Sequence, residues 1–188
     1  FDQDSTSWQR PVPHHHYNVG TTSGSWWNGM KDENNIPHTM MRDGTPNGYS
    51  FIRFKGTEYM IDWKVAGSPE DHRMNIHAPR RIVAGSEADP NLTVNFFNGS
   101  DKSVVEYRKL GSNNWQKLTK VEKPDPYYEI LTERWTNFEK LNLREQWQEN
   151  PELKGEDYPG TPLPNPDKSS HLWQISLGTD WEVGRHTI

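Results

Sequence analysis

The chain has 188 residues, 31% of them hydrophobic, with nine Trp, seven Tyr, fourteen Gly and fourteen Pro, which fits a loop-rich β protein stabilised by large aromatic rings better than a helical one. A net charge of -5 with no basic stripe argues against nucleic acid as a partner, and no apolar run approaches the ~20 residues of a membrane helix. The absence of Cys excludes disulfides and thiolate metal sites but leaves the compartment open.

The chain opens on Phe1 rather than Met, with no signal-peptide pattern. The expectation is a piece of a longer product whose targeting information lies upstream. Residues 1–16 are polar, Pro-broken and end in His14-His15-His16, an irregular lead-in. Tyr17–Thr22 reads as a short strand running into Ser23-Gly24-Ser25-Trp26-Trp27, and 28–42 as a loop. Asp43-Gly44-Thr45-Pro46-Asn47-Gly48 is a reverse turn by composition, because Asp and Asn bond their own backbone and Gly supplies positive φ.

Tyr49–Phe54 and Glu58–Val65 then alternate, joined by Lys55-Gly56-Thr57, the pattern of a β-hairpin. Tyr59, Ile61, Trp63 and Val65 share one face, and Glu58, Asp62 and Lys64 the other. Such a split predicts one buried face and one wet face. Gly67-Ser68-Pro69 has linker composition. Met74 and Ile76 mark a short strand before Pro79, and 80–90 is a loop or short strand.

From Asn91 short strands return. Leu92, Val94 and Phe96 share a face, Val105 and Tyr107 alternate with charged neighbours, and Trp115–Val121 follows the turn at Gly111–Asn114. Spacings of ~8–12 residues between turn signals predict a β-sandwich of immunoglobulin or fibronectin type III kind. Leu131, Trp135 and Phe138 recur at i, i+4 and i+7, with Pro126 just inside the start, and predict one helix over about 128–141. Residues 150–168 are a Pro-rich loop, His171–Ile175 a strand, and Val183–Ile188 a last strand.

The segments HHHYNVGTTSGSWWNG, MRDGTPNGYSFIRFKG, VNFFNGSDKSVVEYR, EKPDPYYEIL, SSHLWQISL and GRHTI, in this order, span nearly the whole chain. Together they resemble the C-terminal region of calcineurin-like metallophosphoesterases of the type common in gut Bacteroidetes. The resemblance implies an upstream catalytic domain using two divalent metal ions, which activate a water and hold the phosphoryl oxygens. It implies that residues 1–67 supply the terminal strands of that domain and 68–188 a separate β-sandwich. It also implies a periplasmic or secreted location. The family's metal-ligand motifs (Asp-x-His, Gly-Asp-x-x-Asp, Gly-Asn-His-Asp/Glu, Gly-His-x-His) do not occur here. Gly184-Arg185-His186 does not match the last of them, and Phe1 begins just beyond where it would sit.

Four residues are candidates for contact with substrate at the rim of the parent's active site: His14, His16, Trp26 and Trp27. In an extended segment His14 and His16 point to one side. Without a carboxylate nearby they make an incomplete metal site, and a solvated His-rich loop explains them as well. Trp26-Trp27 reads either as a stacking platform for a sugar or nucleobase, or as one core ring plus one ring lying on the next loop. Asp43 and Asn47 are explained by the turn they close. Glu122, Asp125 and Glu129 read as a solvated strand end and the acidic first turn of a helix.

The expected protein is therefore mainly β: an immunoglobulin- or fibronectin type III-like sandwich with one inserted helix, preceded by a hairpin segment that completes the upstream domain. The expected function is that of a non-catalytic C-terminal region of a phosphoesterase, with no catalytic residue, metal ligand or cofactor of its own. Its expected partner is the upstream domain of the same protein, with no nucleic acid and no membrane span, and with any glycan or phosphoester ligand left open. The rival readings are a free-standing carbohydrate-binding or adhesive sandwich and a self-sufficient hydrolase. The latter lacks both a metal cluster and a Gly-x-Ser-x-Gly elbow.

Overall fold

A computed structural model describes residues 15–32, 35–86, 89–140, 149 and 161–188. The chain is mainly β, with antiparallel pairings throughout and a single described helix. The elements are β1 (Gly48–Lys55), β2 (Glu58–Val65), β3 (Met74–His77), β4 (Asn91–Phe96), β5 (Glu106–Tyr107), β6 (Gln116–Lys117), β7 (Thr119–Lys123), α1 (Pro126–Lys140) and β8 (Ser169–Ser176).

Strands β3, β4, β8 and β7 form a four-stranded sheet in that order, and β5 pairs with β6 in a small second sheet. Leu92 and Val94 of β4 and Trp173 of β8 face Val105, Tyr107 and Leu118, and these six buried side chains are the core between the sheets. Leu118 sits where the chain leaves one sheet for the other. Its N–H donates to Val105 O, and β7 then pairs with β8. The run Trp115–Val121 is thus two short strands, because each half pairs in a different sheet.

The β1–β2 hairpin forms with the expected register, from Gly48↔Val65 to Lys55↔Glu58. Gly56 opens its two-residue turn at φ 62, a left-handed value that favours Gly. The apolar face is the expected one, but its burial runs along the ribbon rather than across it. Trp63 and Val65 at the base are buried against Phe97, with Met41 alongside. Ile52, Phe54 and Tyr59 at the far end of the same face are exposed, Phe54 by 75%. Nothing in the sandwich reaches that far along the ribbon among the described residues.

Among the described residues, two of the three hydrophobic clusters join residues on either side of Gly67. One is Trp63, Val65 and Phe97. The other joins Met40 to Tyr128 and Leu131 of α1 and to Leu163. Polar contacts do so as well. Asn98 Nδ2 donates to Ile61 O at 2.8 Å, and Arg73 pairs with Asp62, which also lies 3.5 Å from Arg53.

Helix α1 starts as the composition requires. Asp125 Oδ1 accepts from the backbone N–H groups of Tyr127 (2.9 Å) and Tyr128 (3.0 Å), so Asp125 is the N-cap and Pro126 the first helical residue. Leu131 and Trp135 are buried, and Phe138 lies outside the described side chains. Tyr128 is fully buried. Its hydroxyl donates to Pro164 O at 2.8 Å, and burial pushes its phenol up to about 12. This bond ties the returning loop to the helix.

Two expected strands do not form. Residues 17–22 carry turn and irregular backbone, and 183–188 carry bends and irregular backbone. Apolar content was the only signal at the C-terminal end. The nearest ladder partner there is a single bond from Leu110 N–H to Thr187 O. Residues 80–86 form no strand either. Among the described residues no helix is long and apolar enough to cross a membrane.

Candidate functional site

The outer face of β4 is as buried as its core face. Thr93 and Asn95, which the alternation would leave wet, are 3% and 0% exposed. Asn95 is covered by the Asp43–Asn47 turn and the start of α1, and the contact is polar. Asn95 Nδ2 donates to Gly44 O at 3.2 Å and to Asp125 Oδ2 at 2.8 Å. Both amide hydrogens are then used, so Asn95 Oδ1 accepts from His171 Nδ1–H at 2.7 Å. The other ring nitrogen of His171 meets Thr45 Oγ1 at 3.1 Å and Asp43 Oδ2 at 3.2 Å. His77 Nε2 lies 3.6 Å from Asp125 Oδ2, an attraction rather than a hydrogen bond.

These contacts make a continuous line, Asp43–His171–Asn95–Asp125–His77, through the seam between the N-terminal segment and the sheet. Burial pushes the Asp43 carboxyl up, but the hydrogen bond and attraction from His171 and the bonds from Thr45 outweigh it. The net effect holds Asp43 below its ordinary value. Asp125 behaves alike: burial raises it, and His77, Asn95 and the Tyr128 N–H bring it below the usual carboxylate range. Asp43 also closes its own turn by accepting from Thr45 N–H at 2.9 Å. Asp125 is therefore not the solvated acid that its sequence neighbourhood suggests.

Beside this seam lies an open cleft of about 830 Å³. Its walls are the loop carrying Trp27 and His38, the turn at Pro46-Asn47, the exit of β2 at Val65–Ser68, strand β3 with its lead-in, and Tyr127. Three imidazoles line it, His38, His72 and His77. His38 Nε2 is 3.2 Å from the Tyr127 hydroxyl, and His72 Nε2 is 3.0 Å from Asn75 Oδ1.

The four candidates from the sequence are scattered. His14 lies outside the described residues. His16 is exposed. Its neighbour His15 bonds the Tyr59 hydroxyl and stacks on that ring at 5.5 Å, far out on the hairpin. Trp26 and Trp27 are not in a strand, and neither is buried: they are 77% and 52% exposed. Both have left-handed backbones, at φ 66 and 57. Trp27 lines the cleft. The residues that sequence reasoning missed are His38, His72, Asn75 and His77, single polar residues in loops or on a short strand. Only the tertiary structure brings them together.

Among the described residues no group of three or more His, Asp or Glu side chains is placed to hold a metal ion. A family model described as the C terminal of calcineurin-like phosphoesterase matches residues 16–188. The chain belongs to this family. No curated protein matches it, and no solved structure does. The described part of this phosphoesterase C-terminal region does not fit a two-metal centre. Its cleft is lined by aromatic, amide and imidazole side chains and one carboxylate, Asp32.

Proposed function

We propose that this chain is a non-catalytic C-terminal region that completes and flanks the catalytic domain of its parent phosphoesterase, and that the far half of the β1–β2 hairpin makes the contact. The observation that carries the reading is the run of exposed Ile52, Phe54 and Tyr59, on the same face as buried Trp63 and Val65. Two-stranded ribbons are marginal in water without a partner layer. A contiguous exposed apolar face marks an interaction site, and the open edges of the two strands offer main-chain pairing. Membership of a family defined as the C-terminal part of a phosphoesterase supplies the partner: the upstream domain of the same protein. On this reading residues up to Gly67 are the seam, anchored to the sandwich at the hairpin base and adding to the catalytic domain beyond it.

The test is the paired substitution Ile52→Ser and Phe54→Ser in the whole protein and in this chain alone. The isolated chain is expected to keep its melting temperature, because both side chains are exposed. The whole protein is expected to split from one thermal transition into two and to be cleaved faster by protease between its domains. An unchanged single transition would overturn the docking role. Phosphoesterase turnover by the isolated chain, dependent on added divalent metal and abolished by a chelator, would overturn the non-catalytic role.

A further inference from the structure

We infer that the cleft beside Trp27 is a binding site for an uncharged, hydroxylated ring, a nucleoside or a sugar, that stacks on the indole. Three independent observations meet there.

The first is the way Trp27 is presented. A left-handed backbone is unfavourable for a bulky L-residue by ~1–2 kcal/mol, and two such residues in succession persist only where the surroundings over-determine them. Here they do. Ser25 N–H donates to Thr39 O at 3.0 Å and Trp26 N–H to Ser23 O at 2.8 Å. Trp27 N–H donates to Thr39 Oγ1 at 3.1 Å, and that hydroxyl donates in turn to Ser23 O. Gly24 stands at φ +48, where a Cβ would lie 1.2 Å from Thr39 O, so no other residue fits the turn. A tightly held turn thus keeps two indoles in water, where packing alone would bury them.

The second is the lining. Besides Trp27 the cleft is lined by Tyr127, the amides Asn47 and Asn75, and the imidazoles His38, His72 and His77. The bond from His72 to Asn75 Oδ1 leaves the Asn75 amide hydrogens uncommitted among the described residues. No Lys or Arg lines the cleft among the described residues, and Asp32 is its one carboxylate. A phosphate would therefore find no guanidinium or ammonium among the described lining residues, the groups whose charge-assisted bonds recognise phosphate. Hydroxyl groups suit amides and imidazoles, which offer hydrogen-bond donors and acceptors, and a flat ring suits an exposed indole.

The third is a deficit. Asn47, which lines the cleft, has a buried side-chain oxygen, Oδ1, without a hydrogen-bond partner among the described residues. Buried polar atoms usually find one, and a polar ligand or the water it organises would supply it.

The inference does not rest on the hairpin contact and is tested on this chain alone. Adenosine, glucose and inorganic phosphate are titrated separately by calorimetry. Saturable one-to-one binding is expected for adenosine or for glucose, and which of them binds identifies the source of the ring. Trp27→Ala is expected to weaken binding tenfold or more, in keeping with the loss of a stacked ring, and Trp27→Phe to retain most of it. Trp27→Gly serves as the second truncation, since Gly accepts the left-handed backbone. Binding of neither ring compound, phosphate binding as tightly as the rings, or full affinity in the folded Trp27 truncations would each overturn the inference.

Discussion

Truncating Asn95 to Ala is expected to loosen the N-terminal segment from the sheet. Asn95 is fully buried and holds three partners: Gly44 O, Asp125 Oδ2 and His171 Nδ1–H. Each buried group left without its partner costs about 1–3 kcal/mol, with bonds to charged groups at the upper end. Allowing for relaxation and for water entering the gap, the expected loss is about 3–5 kcal/mol. A whole domain has only ~5–15 kcal/mol of stability. With a urea slope of ~2 kcal/mol per molar, the midpoint falls by about 1.5–2.5 M. The companion measurement is a double-mutant cycle with Asp125→Ala. The two share one bond and one seam, so their effects should fall short of additive by roughly 1–3 kcal/mol. A loss below about 1 kcal/mol, or strict additivity, would show that the seam is held by the hydrophobic clusters and not by this network.

The same seam predicts acid sensitivity. The Asp43 and Asp125 carboxyls are held below their ordinary value of 3.8 in the folded chain. Their contribution is therefore present above 3.8 and is lost as pH falls from there through the lowered folded values. Asp43→Asn should flatten the fall in stability across that acid window, measured by urea midpoints at successive pH values; an unchanged slope would refute it. Gly24→Ala should cost more than ~2 kcal/mol and shift the tryptophan emission, because its Cβ meets the Thr39 carbonyl. Gly56→Ala, which meets nothing within 4 Å, should cost only the ~1–2 kcal/mol of a left-handed backbone. Trp63→Ala should cost about 3–5 kcal/mol through the lost contact with Phe97. Trp63→Phe should cost far less, since the indole N–H has no partner among the described residues and no hydrogen bond is given up. Equal losses for these two would argue that the indole nitrogen is bonded after all.

Local chemistry wrote much of this fold into the chain. The hairpin and its register follow from two alternating runs around Gly56, and α1 follows from an apolar stripe behind Asp125-Pro126. Strands β3, β4 and β8 follow from alternation between turn residues, and family membership from motifs distributed over the chain. Each of these depends on neighbours close in sequence. The seam and the cleft do not. Asp43, Asn95, Asp125 and His171 lie far apart in the chain, and each has an adequate local explanation as a turn, strand or cap residue. Only packing the turn onto the outer face of β4 makes them one network. Trp26-Trp27 shows the same limit from the other side. Hydrophobicity says that such a pair should be at least half buried, and the hydrogen bonds to Thr39, twelve residues or more away, hold both rings outside. Periodicity reports which faces a strand or helix has; what covers each face is decided by elements that arrive from elsewhere in the chain.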